Sequence, residues 1–216
     1  MKSPLPIVIW SIGLATVLWA AMFYPPIQGA LNFWAMMPVS TSLLGTLAII
    51  MGGGTLVDKS EFNVRNIVTG VVSAFLLYGI FYVGNMVMTH VAAAFPELIP
   101  NKTAQLQTVY NQGGGVPRSI IGMLLFFPIG WGEEVYWRGL VQRSFETKWG
   151  RMRAMLFTLF VYTVVHIPTG NVMLILAAFT CGLFWGLLYY YTRSIVPGTI
   201  SHMVWDPFIF AVAPIV

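Results

Sequence analysis

Residues 126–139 read F-F-P-I-G-W-G-E-E-V-Y-W-R-G, so two adjacent carboxylates, Glu133 and Glu134, and the basic Arg138 interrupt an otherwise apolar run. The whole chain has only seven acidic residues, and two of them stand side by side here. Ionisable groups within membrane segments are rare, usually face the protein interior and commonly mark function. This stretch is therefore the first candidate for a functional site.

The composition is typical of a membrane protein. Charged residues make up 8% of the 216 residues and hydrophobic residues 57%, whereas soluble domains have about 25% charged residues. The single cysteine, Cys181, excludes a disulfide framework and a cysteine-based zinc site within this sequence. The net charge of +4 is a topology signal in a membrane protein. We therefore expect the lipid bilayer as a partner and no nucleic acid.

The apolar runs predict an all-α, polytopic transmembrane bundle in a single integral-membrane domain, residues 1–216. The first run, 5–23, is long enough to cross about 30 Å of hydrocarbon. Pro25–Pro26 follows it where a signal peptide would have small cleavage-site residues, so we expect a retained helix. The seven predicted spans are 5–23, 38–51, 67–88, 120–141, 154–166, 172–191 and 195–213.

The basic residues predict a cytoplasmic N-terminus. In that orientation only Lys102 and Arg118 lie outside, as the positive-inside rule requires. The cytoplasmic basic residues would be Lys2, Lys59, Arg65, Arg143, Lys148, Arg151, Arg153 and Arg193.

One predicted connection, residues 89–117, is long. It carries few charges and contains Pro96, Pro100 and Gly113–Gly115, which break helices. Long loops often act as lids. A role for this segment in gating substrate access is therefore a hypothesis.

Three further ionisable residues lie in the later spans: His166, His202 and Asp206. His202 and Asp206 are spaced i, i+4 and share a helix face. From the cytoplasmic ends of their helices, Glu133 lies about 15 Å away, His166 about 20 Å and His202 about 10 Å, at 1.5 Å per residue. Three helices are thus predicted to place a carboxylate and two imidazoles between mid-membrane and the cytoplasm.

Each of these residues also has a purely structural interpretation. Glu134 and Arg138, at i, i+4, can form an internal ion pair that supports their helix. His166 or His202 alone can be a hydrogen-bonded core histidine. Their common depth with Glu133 favours a functional constellation instead.

A carboxylate and two imidazoles in a water-accessible pocket suit hydrolysis. The carboxylate can act as general base toward water, and a histidine can share that proton and pass it to a leaving amine. Another donor would stabilise the oxyanion. The same set, Glu133, His166 and His202, can instead hold a zinc ion with one open position. The sequence lacks the H-E-x-x-H helix of many zinc proteases, so no cofactor is favoured and zinc is the alternative.

The three groups resemble the motifs of the CAAX protease and bacteriocin-processing (CPBP) family of intramembrane proteases, also called Abi, which includes the type II CAAX prenyl endopeptidases. Those motifs are E-E-x-x-x-R, F-x-x-x-H and H-x-x-x-N/D, and the second has a tyrosine here in place of phenylalanine. Their positions in this chain are Glu133–Glu134–Arg138, Tyr162–His166 and His202–Asp206. The motifs occupy about a third of the chain, and the catalytic core is expected over about 119–213.

The resemblance implies that Glu133 and His166 activate the attacking water, and that His202 and Asp206 form the oxyanion site. An ionised aspartate only accepts hydrogen bonds, so Asp206 is expected to orient a charged His202, which is the donor. Family members have been described both as metalloproteases and as metal-free glutamate proteases, and we favour the metal-free form. The supporting residues are Glu134, Arg138 and Tyr162.

We therefore predict an intramembrane endopeptidase of a prokaryotic cell membrane that cuts a membrane-associated, prenylated or bacteriocin-like peptide or protein near the cytoplasmic leaflet. The alternative is a non-catalytic immunity or scaffold protein that binds a peptide in the same cavity. Intact Glu133, His166 and His202 favour the enzyme. A proton-coupled transporter would more naturally show two repeated halves, whereas these motifs all lie in the second half.

Overall fold

The computed structural model describes residues 5–24, 32–52, 56–112 and 115–215, and the regular structure in this part of the chain is helical. Lys2, Pro25–Pro26 and Gly113–Gly114 of the sequence predictions lie outside it. The helices are α1 (Leu5–Phe23), α2 (Phe33–Gly52), α3 (Val64–Ala94), α4 (Lys102–Asn111), α5 (residues 118–149), α6 (Arg151–Val164), α7 (Val172–Thr192) and α8 (Val196–Pro207). The predicted all-α bundle is confirmed.

Within the described residues, five helices are long and apolar enough to cross a membrane: Leu5–Phe23, Phe33–Gly52, Val64–Ala94, Arg151–Thr169 and Val172–Thr192. The other two predicted spans correspond to α5 and α8, which are interrupted by prolines and polar groups. The second span was predicted to begin at Pro38, but α2 begins at Phe33. The Asn32 side chain accepts a hydrogen bond from the Ala35 N–H at 3.2 Å and so starts the helix before the proline.

The helix that carries the Glu-Glu pair, α5, is irregular. Its segments are Arg118–Leu124, the wide π-turns Leu125–Gly130, the short α-helical Trp131–Glu134, a second run of π-turns over Val135–Gln142, and Arg143–Trp149. Phe127 has extended dihedral angles, φ −150° and ψ 128°, because a residue before proline is pushed out of the helical region. π-turns occur frequently at functional sites, and here they flank the two carboxylates on both sides.

Glycines bring two helix pairs into close contact. A Cβ at Gly182 of α7 would lie 2.9 Å from the ring of Tyr162 in α6, so only glycine lets this ring pack against the α7 backbone. A Cβ at Gly70 of α3 would lie 2.9 Å from the Pro197 carbonyl oxygen of α8. Small residues at such contacts are how membrane helices approach closely.

The basic loops meet at one end of the bundle. Arg143 Nη1 donates to the Leu56 carbonyl at 3.0 Å, Arg193 pairs with Glu146 at 3.0 Å, and Arg151 donates to the Tyr190 carbonyl. We call this the basic end. The opposite end carries α4, and the cytoplasmic location of the basic end stays a prediction.

The segment 89–117, predicted as one long connection, is largely helical. Helix α3 continues to Ala94 and α4 occupies Lys102–Asn111. The prolines at 96 and 100 fall in the turn between these helices, so they end α3 later than the sequence pattern indicated.

We expect Gly70→Ala to lower the thermal unfolding temperature of the detergent-solubilised protein, because the new methyl group would meet the α8 backbone. Overpacking of this kind costs about 1–3 kcal/mol. Gly79→Ala is the matched control, since it lies on the same helix and nothing lies within 4 Å of its Cβ position. Equal melting temperatures for the two variants would contradict the close α3–α8 contact.

Candidate active site

A cavity of about 440 Å³ lies between helices α2 to α8, and most of its lining is apolar. Five of the seven residues predicted to be catalytic or supporting line this cavity, and Glu134 and Arg138 do not: the five are Glu133, Tyr162, His166, His202 and Asp206. All five side chains are buried within the bundle. The structure thus brings together the residues of the three motifs.

The cavity extends toward the α4 end, away from the basic end. Its walls come from the second half of α3, the start of α2 and the start of α7, including Trp34, Met88 and Met173. If the basic end is cytoplasmic, the cavity faces the other side of the membrane. The predicted orientation and the predicted cut near the cytoplasmic leaflet therefore conflict, because depth counted from helix ends does not show which way a cavity extends.

Next to the cavity lies a group of four charged residues, which we call the charge cluster: His202 and Asp206 line the cavity, and Glu134 and Arg138 lie behind its wall. Arg138 Nη1 donates to Glu134 Oε1 at 2.7 Å, and the two side chains are 1% and 0% exposed. Arg138 Nη2 donates to the Gly182 carbonyl at 3.0 Å. The predicted i, i+4 ion pair is thus present, and it also joins α5 to α7.

His202 lies between two carboxylates of the charge cluster. Its Nδ1 is 3.1 Å from Glu134 Oε1, and its Nε2 is 3.2 Å from Asp206 Oδ2. Both ring nitrogens can donate only in the charged imidazolium, which is the form that two ionised carboxylates require. The cluster then contains two cations and two anions and carries no net charge.

Trp185 is a part of the site that the sequence analysis missed. Its ring stacks on His202 with centroids 3.8 Å apart and an interplanar angle of 17°, and its Nε1 donates to Ser201 Oγ at 3.1 Å. The Arg138 guanidinium lies 5.7 Å from the same ring. Aromatic faces attract cations, so Trp185 stabilises both positive groups. The only sequence signal that could have indicated this role of Trp185 is its position three residues after Gly182.

Glu133 is connected differently from its neighbour. It is 4% exposed and accepts a hydrogen bond from the Tyr162 hydroxyl at its Oε2, at 2.8 Å. Within the described residues Glu133 forms no ion pair. Its carboxylate therefore faces the cavity without a cation to hold it.

His166 lies two residues beyond Val164, the last residue of α6. Its Nδ1 lies 2.7 Å from the Tyr162 carbonyl oxygen, and since a carbonyl only accepts, Nδ1 carries the hydrogen. The neutral ring then has an acceptor lone pair on Nε2. The geometry leaves that nitrogen available to take a proton.

The alternative zinc ligands, Glu133, His166 and His202, do not have the arrangement of a metal site. In the described part of the chain, no three His, Cys, Asp or Glu side chains are grouped so that they could hold an ion. His202, one of the three candidate ligands, has a carboxylate opposite each ring nitrogen. In this arrangement Glu133, His166 and His202 do not fit a metal.

The motif region matches a known family. Residues 116–208, which contain all three motifs, match the family model described as Type II CAAX prenyl endopeptidase Rce1-like. The match supports a similarity of this region to the CAAX protease family. Peptidase activity in general follows from the match. The match and the apolar helices together support a multi-pass integral membrane protein. Neither a curated protein nor a solved structure matches the chain significantly.

Helix α4 covers one side of the cavity. Leu106, Val109 and Tyr110 contribute to the lining, yet no residue of α4 is fully buried. Polar contacts hold it: Asn171 Nδ2 to the Gln105 carbonyl (2.8 Å), Met173 N to Gln105 Oε1 (3.2 Å), Ile215 N to the Tyr110 hydroxyl (3.2 Å) and Trp34 Nε1 to the Gln112 carbonyl (3.0 Å).

We expect Arg138→Met to be strongly destabilising, because it leaves the buried Glu134 carboxylate facing only His202. Removing one partner of a buried pair typically costs about 3–5 kcal/mol. Arg193→Met is the matched control, since Arg193 is 53% exposed where it pairs with Glu146 and exposed pairs contribute about 0–1 kcal/mol. Thermal unfolding of both variants in detergent would show whether the loss is confined to Arg138.

Gating by α4 can be tested through Cys181, the only cysteine, which is buried in the cavity wall. We expect Gln105→Ala, which removes the bond to the Met173 N–H, to increase the rate of maleimide labelling of Cys181 several-fold. Gln107→Ala on the exposed face of α4 is the matched control. Equal labelling rates for both variants and the wild type would contradict a gating role.

Proposed function

We propose that this protein is an intramembrane endopeptidase in which Glu133 and His166 activate a water molecule to hydrolyse a peptide bond. The observation that carries the proposal is the contrast between the two adjacent carboxylates. Glu134 is neutralised by the charge cluster, whereas Glu133 faces the cavity and accepts only from a neutral hydroxyl. A carboxylate without a cationic partner can accept a proton from water.

The reaction is a general-base hydrolysis. The water oxygen attacks the carbonyl carbon while its proton moves to Glu133, and His166 Nε2 accepts the second hydrogen bond of that water. A tetrahedral intermediate forms, and the proton held by Glu133 then passes to the leaving nitrogen. The carbon–nitrogen bond breaks, which gives a carboxylic acid and an amine.

His202 supplies the positive charge near the oxyanion. Its Nε2–H points to Asp206 Oδ2, which is 3.2 Å from the nitrogen. This contact is long, so the same N–H can also donate to a substrate oxygen in the cavity. Asp206 orients the ring and Trp185 fixes its plane. A preorganised cation in a site that excludes water stabilises developing negative charge far more than it would in solution.

The substrate is a membrane-associated peptide or protein with an apolar segment. The lining of the cavity is mostly apolar, and the matching family is described as a prenyl endopeptidase. A prenylated or otherwise lipid-like peptide suits both observations. A scaffold or immunity protein that binds a peptide in the same cavity would not need a carboxylate held without a cation, so the enzyme is favoured.

The decisive test compares wild type, Glu133→Gln and Glu97→Gln in detergent, using a farnesylated peptide with a CAAX end and its unprenylated form. We expect Glu133→Gln to reduce cleavage by at least about 100-fold, because an amide cannot accept the proton. Glu97 is exposed on a turn, and its variant should retain wild-type activity.

The same assay after exhaustive chelation distinguishes the mechanisms. Retained wild-type cleavage is expected for a metal-free glutamate protease. Loss of cleavage that added zinc restores would instead favour a metalloprotease with Glu133, His166 and His202 as ligands. Full cleavage by Glu133→Gln would sink the proposed function and leave the scaffold alternative.

A further inference from the structure

We propose that Tyr162 is a positioning residue for both groups that activate water, through its hydroxyl for Glu133 and through its backbone carbonyl for His166. This inference rests on the proposed function. The F-x-x-x-H motif that the chain resembles has phenylalanine at this position, so the hydroxyl is a feature of this chain. Among the residues that the structure describes, Tyr162 is the one that contacts both Glu133 and His166 through hydrogen bonds.

The hydroxyl of Tyr162 is held in place by tight packing. Its ring meets Trp137 edge-on with centroids 5.4 Å apart, and the Arg138 guanidinium lies 5.1 Å from its centre. Gly182 leaves room for the ring on the α7 side. The ring therefore has little freedom to rotate, and its hydroxyl stays directed at Glu133 Oε2.

The consequence for Glu133 is that its two oxygens have different tasks. Oε2 accepts the Tyr162 hydroxyl at 2.8 Å, which fixes the rotation of the carboxylate. Oε1 is left to accept a proton from water. A base fixed in this way needs no rearrangement at the moment of reaction, and such positioning contributes strongly to catalysis.

The backbone carbonyl of Tyr162 sets the tautomer of His166. Helix α6 ends at Val164, so the last carbonyls of the helix need partners from outside the regular helical pattern. The His166 N–H bonds the Thr163 carbonyl instead, which leaves the Tyr162 carbonyl for the imidazole Nδ1–H. Because Nδ1 carries the hydrogen, Nε2 is the acceptor. The proposed mechanism requires an acceptor there, since Nε2 binds the water molecule that Glu133 deprotonates.

Tyr162→Phe tests the hydroxyl while it preserves the ring. We expect kcat to fall about tenfold or more, as for loss of a hydrogen bond to a charged group, with KM changed by less than about twofold because the cavity walls remain. Tyr136→Phe is the matched control. Its hydroxyl is also buried, but it bonds Ser11 at 3.1 Å rather than a carboxylate, so its kcat should be unchanged.

The outcomes separate this inference from the proposed function. If Glu133→Gln is inactive and Tyr162→Phe cleaves with wild-type kcat, the positioning role is wrong and the protease stands. If Tyr162→Phe raises KM or melts well below Tyr136→Phe with kcat unchanged, its hydroxyl serves the fold only and the inference fails. If Glu133→Gln is fully active, both proposals fail together.

Discussion

The buried ion pair between Glu134 and Arg138 is the interaction on which the rest of the structure depends. A lone charge in an apolar interior is very unfavourable, so each buried charge requires a partner and further hydrogen bonds. Here Glu134 Oε1 accepts from both Arg138 and His202, and Arg138 also bonds the α7 backbone. These contacts join α5, α7 and α8 around one neutral group of charges. The positions of the helices that enclose the cavity follow from that requirement.

Glycines make this arrangement sterically possible. A Cβ at Gly198 would lie 3.0 Å from Glu134 Oε2, and one at Gly130 would lie 3.0 Å from the backbone nitrogen of Met203. These two positions let α8 approach α5 closely enough for side chains of ordinary length to pair, and Gly182 lets the ring of Tyr162 in α6 pack against α7. Side chains at these positions would separate the helices and leave the charges unpaired. The pairing of the buried charges therefore depends on the close packing of these helices.

The features that could be predicted from the sequence are those that depend on hydropathy and helical periodicity alone. Apolar runs indicated the membrane helices, and the i, i+4 spacing predicted the Glu134–Arg138 pair. Contacts between helices were not predictable, because they depend on how each helix is rotated about its axis. Trp185 on His202 is one such contact. The start of α2, the helix at 102–111 and the direction of the cavity were missed for similar reasons, since capping, short polar helices and cavity shape leave weak signals in hydropathy.

The two adjacent glutamates have different roles: one forms structural ion pairs, and the other is available to accept a proton. Successive residues of a helix point about 100° apart, so one carboxylate of the pair can face the neighbouring helices while the other faces the cavity. Glu134 pairs with the two cations of the charge cluster, Arg138 and His202, so their pairing does not require Glu133. Because the surrounding cations are already neutralised, Glu133 keeps its capacity to accept a proton. A single carboxylate could not do both, since the ion pair that would stabilise the fold would also weaken the base.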